Sequence, residues 1–201
     1  MKIIGNTVIL RDLCRGDIER RILWETQQTE WQQWDAPWEY EETGGQASLA
    51  WLEAYREHLE SRVQELRWMD EQQLRRGFEI ALASDSGKSI GWCNSYFLKD
   101  DFTSGPDGRY LAVGIDLPAP ESRGKGYGTQ ALALFLEYLF CAGFSELYTQ
   151  TWSGNIPMIH VAENLGFQGF DRKRGIRQVR GKRYDALTFR LAPEAFLYRR
   201  K

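Results

Sequence analysis

The run Arg123-Gly124-Lys125-Gly126-Tyr127-Gly128-Thr129 restricts the fold of this chain more than any other segment, because of what stands on either side of it. Before it, Tyr110 to Leu117 (YLAVGIDL) reads as a strand that Pro118 and Pro120 terminate, since proline cannot continue a sheet ladder. After it, Thr129 to Ala142 reads as a helix. A strand, a glycine-rich turn and a helix in that order let several backbone N–H groups converge at a helix N-terminus, where a phosphate is favoured. The helix dipole alone contributes only about 0.3–1 kcal/mol at an exposed site. Several N–H donors, with Arg123 and Lys125, would have to act together. The spacing is neither the Walker form nor the GxGxxG dinucleotide form. A glycine-rich helix start with no ligand would read the same in isolation.

The rest of the chain supplies a sheet around this unit. Thr7 to Arg11 reads as a strand, and Asp17 is expected to cap a short helix through Ile18, Ile22 and Leu23. A tryptophan-rich stretch follows and breaks at Gly44-Gly45. From Ser48, apolar residues recur at three- and four-residue steps from Leu49 to Leu66, which predicts a long helix with one apolar face. Gly77 to Ser84 and Ser89 to Leu98 read as a hairpin joined at Asp85-Ser86-Gly87-Lys88. Beyond the central helix come a strand over Glu146 to Thr151, a short helix ending at Gly166, and a hairpin over Gly169 to Val179 and Arg183 to Leu191, turning near Gly181. Without repeats or linkers, residues 1–201 are expected to form one α/β domain with a mixed sheet.

Composition excludes several classes. The formal charge of −2 argues against a generally basic nucleic-acid binder, but it is unevenly spread. Residues 1–100 carry 12 basic and 18 acidic side chains, whereas residues 101–201 carry 14 and 10. Cys14, Cys93 and Cys141 are widely spaced, without a CxxC or Cys/His grouping, so they suggest buried or partly buried thiols rather than a disulfide framework or a metal site. No apolar stretch approaches the length of a membrane span, and the start MKIIGNTVILRD reads as a strand rather than a signal peptide. A cytoplasmic location is expected, with no membrane partner and no metal.

The strand ending GIDL, then RGKGYGTQAL, a helix, a strand and SGNIPMIHVAENLGF together resemble the GNAT superfamily of acyl-CoA-dependent N-acyltransferases, over about Tyr110 to Phe167. The Asn155…Leu165-Gly166-Phe167 portion, the hairpin with Tyr184-Asp185 and the tryptophan-rich start look most like the RimJ/RimL-type branch and the related aminoglycoside N-acetyltransferases. The resemblance implies a GNAT fold: a mixed, mostly antiparallel sheet with a splayed parallel strand pair, flanked by helices. It implies acetyl-CoA as co-substrate, its pyrophosphate on Arg123, Gly124, Lys125, Gly126, Tyr127, Gly128 and Thr129. Its pantetheine arm would lie along Ile115, Asp116 and Leu117, near Asn155.

The implied reaction is direct attack of an amine on the thioester, and the amine must lose a proton to attack. A positioned base typically contributes about 10²–10⁴-fold. Asp116 is the candidate, because alternation puts it on the face of Ala112 and Gly114. Many relatives carry Glu where this chain has Ala112, whereas aminoglycoside-modifying relatives have a Gly-x-Asp like Gly114-Ile115-Asp116. A strand-end Asp that only caps a turn is the competing reading. Two family hydroxyls that could serve as acid are replaced by Ala162 and Met158, which leaves solvent, sufficient for a weakly acidic thiol, or the hydroxyls of Ser153, Tyr127 and Tyr148 for that role. The same departures motivate a second reading, an acyl-CoA sensor or partner-binding protein without turnover. His58 and His160 are assigned no role.

The stretch WQQWDAPWEYEE sets aromatic faces beside carboxylates, a combination suited to a cationic amine, with Trp34, Trp38 and Asp116 as candidate acceptor residues. Core packing and solvated acidic faces are the competing readings of that stretch. The expected acceptor is a small-molecule amine or a peptide N-terminus. A nucleic-acid or ribosomal partner is not expected, and a homodimer is left open. The basic run from Arg172 to Arg183 is compatible with the 3′-phosphate of CoA, with a ribosomal or tRNA surface, or with protection of a sheet edge.

Overall fold

The structure, a computed structural model, describes residues 1–42, 47–84 and 87–198. One sheet has the spatial order β1-β2-β3-β4-β5-β6-β8-β7. Its strands are β1 (Lys2–Ile4), β2 (Val8–Arg11), β3 (Gly77–Leu82), β4 (Ser89–Leu98), β5 (Tyr110–Asp116), β6 (Leu147–Trp152), β7 (Gln168–Val179) and β8 (Lys182–Leu191). All neighbours are antiparallel except β5 and β6. That parallel pair needs a crossover, supplied by α4 (Tyr127–Cys141). The other helices are α1 (Ile18–Thr26), α2 (Pro37–Glu42), α3 (Leu49–Trp68) and α5 (Ile156–Leu165).

The parallel pair is short. Ala112 pairs with Tyr148 and Val113 with Thr149, and at that point the Thr149 hydroxyl donates to the Val113 carbonyl at 2.8 Å. Further along, β5 stays paired with β4 as far as Trp92↔Asp116, and β6 stays paired with β8 as far as Trp152↔Ala186. Each strand therefore keeps its outer neighbour while the two part from each other.

Strand alternation distributes the side chains of β5 between two layers. Leu111, Val113 and Ile115 pack with α4 and α5, around Leu132, Phe135, Leu136, Leu139, Ala162 and Leu165. Ala112 joins Leu98 and Tyr148 on the opposite face. The cross-strand partners of Ala112, Gly114 and Asp116 are Tyr96, Asn94 and Trp92. Above Trp92 sit Trp24 and Trp31, with ring centroids 5.8 and 5.3 Å away. Those two tryptophans are core residues, as the packing reading of the tryptophan-rich stretch expected.

Several elements differ from the sequence expectation. Lys2–Ile4 forms a strand of its own, antiparallel to β2. The Asp17 carboxylate makes no cap bond to α1; it pairs with Arg11 at 2.6 Å and accepts from the Cys14 N–H, because the preceding turn places Arg11 and Cys14 within its reach. Ser48 does cap α3, accepting from the Trp51 N–H at 3.1 Å. The apolar face of α3 is buried only at Leu59, Val63 and Leu66, while Leu49 is 80% exposed, because the packing against α1 engages the later turns. Cys93 is buried, but Cys14 and Cys141 are exposed, at a loop and at the last turn of α4. The breaks at Gly44-Gly45 and Asp85-Ser86 lie outside the described residues. Among the described residues no helix is long and apolar enough to cross a membrane.

Candidate active site

The parting of β5 and β6 opens a cleft of about 930 Å³. Ile115, Asp116 and Leu117 line it from β5 and its end, and Arg123, Gly124, Gly126, Tyr127, Gly128 and Thr129 from the glycine-rich turn. Asn155, Trp34 and Trp38 complete the set of sequence candidates along its walls. Lys125 is exposed and is absent from the lining.

The turn is built for close approach. Gly126, the residue before α4, has φ 78°, and Gly124 has φ 69°, a region that L side chains rarely adopt. No atom lies within 4 Å of where a Cβ at either would stand. Gln130 makes the first helical bond, to the Gly126 carbonyl at 3.0 Å, so the N–H groups of Tyr127, Gly128 and Thr129 have no acceptor among the described residues. These orphan donors face a negative ligand favourably. The Arg123 guanidinium is engaged otherwise: it donates to the Leu117 and Pro118 carbonyls at 2.7 and 2.9 Å and pairs with Glu30. Its contribution is to hold the turn against the end of β5 and the tryptophan-rich segment.

Asn155 is likewise occupied. Its Oδ1 accepts from the Met158 N–H at 3.1 Å, capping α5, and its Nδ2 donates to the Trp34 carbonyl at 2.9 Å. Trp152 Nε1 donates to the same carbonyl at 2.8 Å. The end of β6 and the start of α5 thus fasten the Trp34 segment along one side of the cleft.

Carboxylates gather at the inner end. Asp116 is enclosed by protein on the sheet side but open to the cleft, and its carboxyl is held well above the usual range by burial, reinforced by Asp35 and Glu25 and opposed by Arg21 and the Trp92 indole. Burial likewise pushes Asp35 up, with Glu39 adding to it. Glu25, from α1, is pushed up to about 7 by burial, with Gln32 and Arg21 opposing and Asp35 adding. These acids interact, so they cannot all ionise independently at neutral pH. Tyr96 lines the cleft beside them, its phenol raised by burial and by the charges of Asp35 and Asp116. Below, Arg21 pairs with the buried Glu79 at 2.6 Å and lies 3.6 Å from the Trp92 ring centroid.

Of the three hydroxyls left open by the sequence, Tyr127 lines the cleft. Tyr148 is buried and donates to Glu146 at 2.9 Å, while the Ser153 hydroxyl accepts from the Asp185 N–H at 3.0 Å. His58 and His160 are exposed. Sequence reasoning passed over Glu25 and Tyr96, and it named Arg177 only as one member of the basic run on the last hairpin. Alternation with Asn94 and Trp92 could have pointed to Tyr96, but nothing local marks Glu25, an acid in a helix that folds inward.

Parted parallel strands, a phosphate-competent turn opening the next helix and an acid at the strand end define an acyltransferase fold, and the family comparison agrees: the acetyltransferase (GNAT) domain matches residues 7–168, so the chain belongs to the GNAT acetyltransferases, which are acyl-CoA-dependent. Among individual relatives, it is 27% identical over 130 residues to the SPbeta prophage-derived uncharacterized N-acetyltransferase YokL of Bacillus subtilis (strain 168), covering 64% of this chain and 70% of YokL. A GNAT-family acetyltransferase from Bacillus anthracis superposes with TM-score 0.70 at 14% identity, covering 96% of this chain and 99% of that one. RimL, a ribosomal L7/L12 alpha-N-protein acetyltransferase in complex with coenzyme A, gives TM-score 0.69 at 14% identity, covering 97% and 99%. The ribosomal-protein-S5-alanine acetyltransferase of Vibrio fischeri gives TM-score 0.68 at 14% identity, covering 98% and 100%. At such identities the structural likeness is one of fold.

Proposed function

We propose that this protein is an N-acetyltransferase that moves an acetyl group from acetyl-CoA to a primary amine, with Asp116 taking the amine proton. The observation that carries the reading is the placement of Asp116 in the cleft, at the end of the strand that parts from β6, with its carboxyl held well above the usual range. A base is most effective when its proton affinity is close to the working pH. An ordinary aspartate is too weak a base for an ammonium, and burial beside Asp35 and Glu25 corrects this in the needed direction.

The residues present fit acetyl-CoA. Unpaired N–H groups at the turn suit its pyrophosphate, and the free inner edges of β5 and β6 suit an amide-bearing arm. When bound, acetyl-CoA would supply a thioester activated toward amines. Formation of the new N–C bond would break the C–S bond; Asp116 would receive the proton lost by nitrogen, and solvent or the Tyr127 hydroxyl, which lines the cleft, would supply the proton for the departing sulfur. RimL and the Vibrio fischeri enzyme are named for acting on ribosomal proteins, which keeps a peptide N-terminus within the class of acceptors beside small-molecule amines. Two measurements test the reading: calorimetric binding of acetyl-CoA, and release of free CoA over a panel of amines. Binding without release for any amine would mark a sensor, and absence of binding at millimolar acetyl-CoA would remove the reading altogether.

A further inference from the structure

The last hairpin carries a basic run, and the structure divides it. On the outer side, Arg172 pairs with Asp185, and Arg180 donates from its main chain to Glu41 at 3.3 Å and from its side chain to Gln33 at 3.2 Å. On the inner side, Lys173 donates to the Asp101 carbonyl. Arg177 is different. Its guanidinium lies over the Trp38 ring, 4.2 Å from the centroid, and lines the cleft. Its Nε is buried without a hydrogen-bond partner, and among the described residues the guanidinium has no hydrogen bond or ion pair. A β-bulge between Lys173 and Arg177, where Gly175 has φ 62°, sets its position on the strand.

An arginine with a buried donor and no acceptor is costly. The stacking on Trp38 offsets part of that cost and fixes the plane of the guanidinium. The arrangement leaves a planar fork without its complement, and the natural complement of such a fork is a carboxylate or a similar planar or tetrahedral anion. Neighbouring acids do not supply it among the described residues: Glu30 is taken by Arg123, Glu41 accepts from the Arg180 main chain, and neither Asp35 nor Glu25, the acids acting on Asp116, pairs with Arg177.

We propose that Arg177 receives an anionic group of the acceptor, so that the acceptor is a zwitterionic amine, with its amine directed to Asp116 and its carboxylate or equivalent anion to the Arg177–Trp38 stack. This rests on the acetyltransferase reading above and narrows it. It assigns to one residue of the basic hairpin a part in choosing the acceptor, and to Trp38 the part of supporting that residue.

The experiment compares ω-amino acids of increasing chain length with their carboxamides, following free CoA release by the wild type, Arg177→Gln and Arg177→Lys. Loss of a hydrogen-bonded charge pair corresponds to roughly 10–100-fold. The wild type is expected to prefer the free acid of the best-fitting length by about that factor in kcat/KM. Arg177→Gln should abolish the preference by raising KM for the acid more than for the carboxamide, and Arg177→Lys should restore part of it. Equal use of acid and carboxamide, a preference that survives Arg177→Gln, or stronger use of a diamine than of any zwitterion overturns the proposal. So does weaker calorimetric binding of acetyl-CoA by Arg177→Gln, which would assign the guanidinium to the donor. Release of CoA with some amine but none of the expected discrimination sinks only this inference, whereas no release with any amine sinks the transferase reading with it.

Discussion

Replacing Glu25 by Gln tests the electrostatics of the cleft while the candidate base itself is kept. Glu25 is only 8% exposed, and among the described residues its carboxylate accepts from the Gln32 amide alone, at 3.3 Å. Burial moves its carboxyl from 4.5 to about 7. Between those values the folded protein holds a proton that the unfolded chain has released, so stability falls as pH rises through that window. At about 1.4 kcal/mol per pH unit, the gap corresponds to an upper limit of about 3 kcal/mol. A chain of this size loses about 2–4 °C of Tm per kcal/mol. The two proteins should therefore melt nearly together at about pH 4.5 and separate by up to ~10 °C near pH 8, with Glu25→Gln the more stable. Thermal unfolding at half-unit steps of pH measures this directly. Parallel curves across the whole range would refute the argument that Glu25 is forced to ionise in a buried site.

Other substitutions address the remaining parts. Asp116→Asn should lower acetyl transfer at neutral pH by about 10²–10⁴-fold, while calorimetric binding of acetyl-CoA is retained. Gly126→Ala forces a side chain into φ 78° at the mouth of the turn; a loss of stability of about 1 kcal/mol and weakened acetyl-CoA binding are expected from denaturant titration and calorimetry. Glu79→Ala leaves Arg21 buried without its ion pair and should cost about 3–5 kcal/mol, read as a lower denaturation midpoint.

The central unit was legible because its signals are local. A strand closed by prolines, a turn of glycines and a helix with a run of apolar residues point to the same arrangement at every level, and β5, the turn and α4 stand where that reading put them, with α4 starting two residues earlier. The Asn155 to Gly166 helix was equally plain, since Asn155 caps it and Gly166 closes it at φ 93°. What the sequence concealed depends on contacts distant along the chain. Nothing near Arg123 indicates that Glu30 will take its guanidinium, 93 residues away, and nothing near Asn155 indicates Trp34. The tryptophans separate for the same reason: Trp24 and Trp31 have Trp92 beneath them and become core, whereas Trp34 is 39% exposed at the cleft. Composition alone cannot distinguish a tryptophan that finds a sheet from one that finds solvent. Nor could it separate Arg177 from its basic neighbours, because that difference arises at a bulge.

The fastening of the tryptophan-rich segment has a consequence for how such a cleft can change. Trp152 and Asn155 both take hold of the Trp34 carbonyl and leave its indole aside. A main-chain oxygen is the same whatever side chain accompanies it, so the anchor is indifferent to the identity of residue 34. Substitutions there can alter the contour of the wall while its attachment persists, and a new amine can be accommodated by exchanging side chains on a backbone that stays in place.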